Sequence, residues 1–226
     1  MAHVRVGLLG GFGLDVDGVT VTAESLGRRD PVRLAAYLAL ARDRRVHREQ
    51  VLEALWPDAP PGSAQNRLHK AAHFLRRATG DADAVVLSGG TVALFPHRQV
   101  DVDSAELARL VRAGVDGGDP DAVHRAIALY RGDLLPFDVD EDWALLPRQH
   151  LRLRFREALR AAGEFARLVE VDPTDEDGHV GLMRRMLLDG DRGGVIRQFE
   201  LLTRVLDDEL GVGPSAEARA LRDRAA

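Results

Sequence analysis

Between residues 63 and 79 the chain carries four cations (Arg67, Lys70, Arg76 and Arg77), the amide of Asn66 and the imidazoles of His69 and His73, with no carboxylate among them. Projected at 100° per residue, Ala64, Leu68, Ala71, Ala72 and Leu75 fall on one side of a helix, and Asn66, Lys70, His73 and Arg77 on the other. His69 and Arg76 border that polar face on one flank, Arg67 and Phe74 on the other. Such a face suits the major groove of DNA. Asn66 could pair with adenine N6 and N7, and Lys70 or Arg77 with guanine O6 and N7. Arg76 and the cluster Arg44, Arg45, His47 and Arg48 would more naturally meet phosphates, which set register without reading sequence. Trp56 has two readings: it touches the DNA backbone through its indole N–H, or it fills the core.

The elements around this stretch must hold it in place. Residues 4–9, 13–16 and 19–21 read as short strands, the last two joined by Asp17-Gly18, a hairpin-turn pair. Residues 29–41 change to helical period, with Asp30 as the expected N-cap and Pro31 at the first position. A charged break at 42–45 precedes a second helix over 47–56, which Pro57, Pro60, Pro61 and Gly62 end. Ser63 is the expected cap of the third helix and Gly80 its stop. Residues 84–88 and 91–95 flank Gly89-Gly90 as a hairpin. Three strands, three helices and a hairpin, in that order, are the pattern of a winged helix-turn-helix.

After Val100 the pattern is helical throughout, over 103–113, 119–130, 142–163, 163–171, 173–188, 192–210 and 214–224. Asp172-Pro173 and Gly190-Asp191 punctuate helices of the length seen in stacked antiparallel pairs, though no strict 34-residue repeat is visible. The expected architecture is mainly α with a small β component: a winged helix-turn-helix over 1–100, a junction at 98–103, and an all-α, TPR-like domain over 101–226. Charge divides the same way. Residues 1–100 carry 13 basic and 10 acidic side chains, residues 101–226 carry 18 and 26, which implies partners of opposite electrostatic preference.

Other chemistries find less support. The absence of cysteine excludes disulfides and thiolate metal sites. No apolar run approaches the ~18 residues of a membrane helix, and four glycines break the apolar stretch 4–16, a poor signal sequence. Gly7, Gly10, Gly11 and Gly13 lack the pattern of a phosphate loop and read as a strand bend. His69 and His73 have zinc-pair spacing but no third ligand, and Lys70 lies between them. Asp138, Asp140, Glu141 and Asp142 read as an acidic helix start before Trp143, not a calcium loop. Tyr130 and Trp143 read as core aromatics. No metal, cofactor or catalytic site is expected, and the chain is read as a non-enzyme of the cytoplasm.

The run VHREQVLEALWPDAPPGSAQNRLHKAAHFLRRATG resembles the winged helix-turn-helix of the Streptomyces antibiotic regulatory protein family, whose DNA-binding domain is OmpR-like. The segment LYRGDLLPFDVDEDWALLPRQHLRLRFREAL looks like the start of that family's bacterial transcriptional activator domain, and LLTRVLDDELGVGPSAEARAL is similar to its close. The resemblance implies a cytoplasmic activator that binds direct repeats in double-stranded promoter DNA, as a homodimer or side-by-side pair, engages RNA polymerase holoenzyme, and often controls secondary metabolism. It implies that Arg67, His69, Lys70, His73 and Arg77 lie on the recognition helix and that Trp56 matches a backbone-contacting tryptophan. The chain departs from the family at Ala71 and Ala72, where an aromatic and a β-branched residue are common, at Phe74, where arginine is usual, and at the wing, Gly90-Thr91-Val92. Those departures motivate an alternative: a helical-repeat adaptor whose winged domain, with Phe74 exposed, binds protein instead of DNA.

Overall fold

The computed structural model describes residues 3–138 and 140–226. The first three strands are β1 (His3–Gly7), β2 (Gly13–Val16) and β3 (Val19–Thr22). Their alternation of buried and facing residues follows the two-residue pleat period. Asp17 and Gly18 both adopt positive φ, the twist that closes a two-residue hairpin. A short helix α1 (Ala23–Leu26), capped by Thr22, leads into α2 (Arg29–Leu40). After a 3-10 turn come strand β4 (Arg45–His47), α3 (Arg48–Leu55) and α4 (Pro61–Thr79). The hairpin β5 (Val85–Ser88) and β6 (Thr91–Leu94) follows, then β7 (Gln99–Val102).

Two small sheets result, in the orders β3-β2-β1-β7 and β4-β6-β5. The expected strand–helix–hairpin order is present, but local patterns missed α1, β4 and β7. β4 begins at Arg45, the last residue of the charged break, takes in His47, expected to start the second helix, and pairs antiparallel with β6. β7 occupies the expected junction and pairs parallel with β1, Val4 opposite Val100 and Val6 opposite Val102. Two caps also differ from expectation. Arg28, not Asp30, stands at the N-cap of α2, and α4 starts at Pro61 behind Pro60, which puts Ser63 inside the first turn.

The remaining helices are α5 (Asp103–Val111), α6 (Pro120–Leu129), α7 (Asp142–Ala162), α8 (Phe165–Val171), α9 (Glu176–Leu188), α10 (Arg192–Leu210) and α11 (Ala216–Ala225). The chain packs as two compact units. The first takes the residues up to Arg109 together with Ala128–Leu153; the second takes Leu110–Ile127 and Arg154–Ala226.

In the first unit the glycine run after β1 has a packing reason. Gly10 donates its N–H to the Asp133 carbonyl, and a Cβ at Gly10 would lie 3.0 Å from the Arg131 carbonyl oxygen. Asp103 ties the same segment down by accepting the Leu8 and Leu9 N–H groups. The acidic stretch expected to start a helix has a further role. Glu141 is buried, accepts from the Trp143 indole at 2.7 Å and pairs with Arg33 of α2 at 2.6 Å, while Asp138 pairs with Arg29.

In the second unit α8, α9, α10 and α11 pack as successive neighbours, with α11 also against α9. Val180, Met183, Val195, Leu202, Leu206, Ala218 and Leu221 form its core. Asp175, Asp191 and Ser215 cap α9, α10 and α11, each accepting an N–H of the first turn. His179 is fully buried, its Nε2 donating to the Pro173 carbonyl and its Nδ1 accepting from Gln198.

Candidate nucleic-acid interface

α4 is seated by its apolar stripe. Ala64, Leu68, Ala71, Ala72 and Leu75 are all buried, and α2 and α3 pack against the helix. The opposite side is open: Asn66, Arg67, His69, Lys70, His73 and Arg77 are exposed. Asn66, Lys70, His73 and Arg77 thus lie on the open side that the projection gave them, with the flanking Arg67 and His69 exposed as well. Gly80, at φ 68°, ends the helix in the left-handed conformation that costs glycine little.

Internal pairing decides which cations stay available. Arg67 is not free. Its guanidinium makes a two-pronged bond to Asp30, Nε to Oδ2 at 2.9 Å and Nη2 to Oδ1 at 2.7 Å. The same carboxylate accepts the Trp56 indole N–H at 3.0 Å, and the Arg67 guanidinium lies 5.4 Å from the Trp56 ring centroid. Trp56 is 3% exposed, so of its two readings the structure supports core filling; its N–H is spent inside the protein. Burial opposes ionisation of Asp30, but the Arg67 guanidinium and the Trp56 N–H outweigh it and hold the carboxyl below its ordinary value.

Asp30 thus clamps α2, the end of α3 and α4 together. Asp30→Ala leaves a buried indole donor unsatisfied, and is expected to cost about 2–3 kcal/mol in urea unfolding at neutral pH. Because the folded pKa lies below the unfolded one, the contribution is complete above the ordinary value of 3.8 and is lost as pH falls through the folded pKa. The gap between wild type and variant should therefore narrow once pH falls below the ordinary carboxyl value of 3.8. A gap that stays constant from neutral pH downward would remove the ionised clamp.

The wing side holds the other predicted phosphate contacts, and two of them differ from expectation. Arg76 is half-buried and donates Nε and Nη2 to the Val85 carbonyl of β5, at 2.8 and 2.6 Å. It fastens α4 to β5 instead of facing outward. Arg44 is half-buried and donates to the Leu94 carbonyl. Arg45 and His47 are exposed on β4, Arg45 reaching the Thr91 hydroxyl. Arg48 is half-buried at the start of α3. Its backbone N–H is bonded to the Gly90 carbonyl at the wing tip, and its Nε is buried without a partner.

Phe74, expected to be exposed in the adaptor reading, is half-buried beneath a guanidinium that sequence reasoning passed over. Arg28 lies 4.5 Å from its ring centroid. The doublet Arg28-Arg29 was visible in the chain, but nothing local says that its first member reaches a residue so far along.

A family model described as bacterial transcriptional activator domain matches residues 100–225, more than half of the chain. The chain belongs to the bacterial transcriptional activator domain family. Membership bears out the resemblance read from its residues. Among curated proteins it is similar to regulatory protein AfsR of Streptomyces coelicolor, 27% identical over 241 aligned positions that take in 98% of this chain and 24% of AfsR. It therefore spans about a quarter of that relative. Among solved structures it is similar to Mycobacterium tuberculosis EmbR, determined in complex with a low-affinity phosphopeptide. The TM-score is 0.75 at 21% identity, over 100% of this chain and 65% of that one. The EmbR likeness shows the fold: a mainly helical chain with a small β component at its N-terminal end. Among the described residues no helix is long and apolar enough to cross a membrane.

Proposed function

We propose that the chain is a sequence-specific, DNA-binding transcriptional activator of the cytoplasm that reads promoter repeats with α4, binds as a side-by-side pair and engages RNA polymerase through its helical part. One observation carries this reading. Asn66, Lys70, His73 and Arg77 form an exposed, acid-free face, and no carboxylate among the described residues pairs with Lys70 or Arg77. Cations that a fold leaves unpaired on one helix face suit a polyanion. Asn66 and Lys70 lie one turn apart for adjacent base edges, with Arg77 two turns beyond Lys70. Exposed Arg45 and His47 would meet phosphates beside them. Control of secondary metabolism is the gene class that the sequence resemblance suggests for the regulon.

The test is a titration of labelled promoter duplex at two salt concentrations. Each phosphate contact contributes about −0.9 to the slope of log K against log salt. With about four contacts, affinity should fall roughly 100-fold between 50 and 200 mM salt. No binding to any duplex at 50 mM salt would reject the reading and return the chain to the adaptor class.

A further inference from the structure

Between the start of α2 and the outer flank of α4 lies a cleft of about 300 Å³ lined by Arg28, Arg29, Asp30, Arg67, Lys70 and Phe74, among others. Its charges are not equivalent. Asp30, the carboxylate of the cleft, is taken up by Arg67 and Trp56. Arg29 is drawn to Asp138 at 2.9 Å. Arg28 and Lys70 have no carboxylate partner among the described residues. The local pairing therefore leaves two uncompensated cations, one on each wall.

Arg28 is also held in place. An exposed arginine ordinarily samples many rotamers, and ordering it costs side-chain entropy. Here the guanidinium stacks 4.5 Å over the Phe74 ring, a cation–π arrangement that leaves the N–H groups at the guanidinium's edge free to donate. Phe74 lies between exposed His73 and buried Leu75, on the flank of the groove-facing side, and its ring packs edge-on to His73. The ring thus anchors a fixed, unpaired cation beside the reading face.

We propose that Arg28, positioned by Phe74, together with Lys70 seats a backbone phosphate diester of duplex DNA in this cleft, at the edge of the bases read by α4. The assignment rests on the DNA-binding reading above. It gives Arg28 the flank position that Arg67, bound to Asp30, does not fill. Guanidinium and phosphate match in geometry and charge, and such a contact fixes register without discriminating sequence.

The experiment compares wild type, Arg28→Ala, Arg28→Lys and Phe74→Leu by fluorescence anisotropy. The probes are a duplex selected by the wild-type protein from a random library and an unrelated duplex, each at several salt concentrations. Arg28→Ala should weaken both duplexes alike, by about 3–10-fold at low salt, and flatten the salt slope by about 0.9. Arg28→Lys should keep most of the slope. Phe74→Leu, with an unchanged circular dichroism spectrum, should lose affinity for both duplexes by less than Arg28→Ala. An unaltered slope and affinity in Arg28→Ala, while wild type binds, overturns the phosphate site and leaves the DNA reading standing. A loss confined to the selected duplex overturns it too, because Arg28 would then read a base. If wild type binds neither duplex, the reading beneath it has failed.

Discussion

The double variant Lys70→Ala/Arg77→Ala is expected to bind its selected duplex about 30- to 20,000-fold more weakly than wild type, with its unfolding midpoint unchanged. A residue that pairs with a base edge is worth about 1–3 kcal/mol. The two positions lie seven residues, or ~10 Å, apart on one helix, far enough for their losses to add. Both side chains are exposed and neither pairs with a carboxylate among the described residues, so their removal leaves nothing buried unsatisfied. The measurement is a pair of Kd values against a pair of urea curves. An unchanged Kd in a folded double variant would mean that α4 does not face the groove.

The opposite face should give the opposite signature. Leu68 is fully buried in the inner stripe of α4, where Ala64, Ala71 and Ala72 are its apolar companions. Leu68→Ala is expected to cost about 2–5 kcal/mol, the lost transfer energy plus that of the cavity, and small neighbours have little side chain with which to fill a hole. That is a large part of the 5–15 kcal/mol available to a typical domain. The midpoint of denaturation should drop sharply, while duplex affinity per folded molecule stays close to wild type. A loss of stability below about 0.5 kcal/mol would show that α4 is not seated through this stripe.

Much of this was legible because it is periodic. The inner and outer faces of α4 follow from a 100° step, and the paired turns Asp17-Gly18 and Gly89-Gly90 follow from the few residues that tolerate positive φ. What escaped was non-local. Asp30 looked like a helix cap because it precedes Pro31 and an apolar run, but its carboxylate answers Trp56 and Arg67, 26 and 37 residues away. Arg76 looked like a phosphate contact because it borders a cationic face, but the Val85 carbonyl on the wing takes its donors. β4 was hidden by charge: Arg45 and His47 are exposed, and only pairing with β6 makes the segment a strand. Glu141 and Asp138 read as helix-start acids, because the partners that use them, Arg33 and Arg29, lie more than 100 residues earlier.

The interleaving of the two packed units bears on how regulators of this kind can trade parts. A crossover near residue 100, the junction expected from sequence, would cut through β7 and strip β1 of a neighbour. It would also sever α2 from the distant acids that neutralise Arg29 and Arg33. A viable hybrid has to inherit the segment Ala128–Leu153 from the same parent as the residues up to Arg109. Breakpoints among living hybrids should accordingly be scarce between residues 99 and 153.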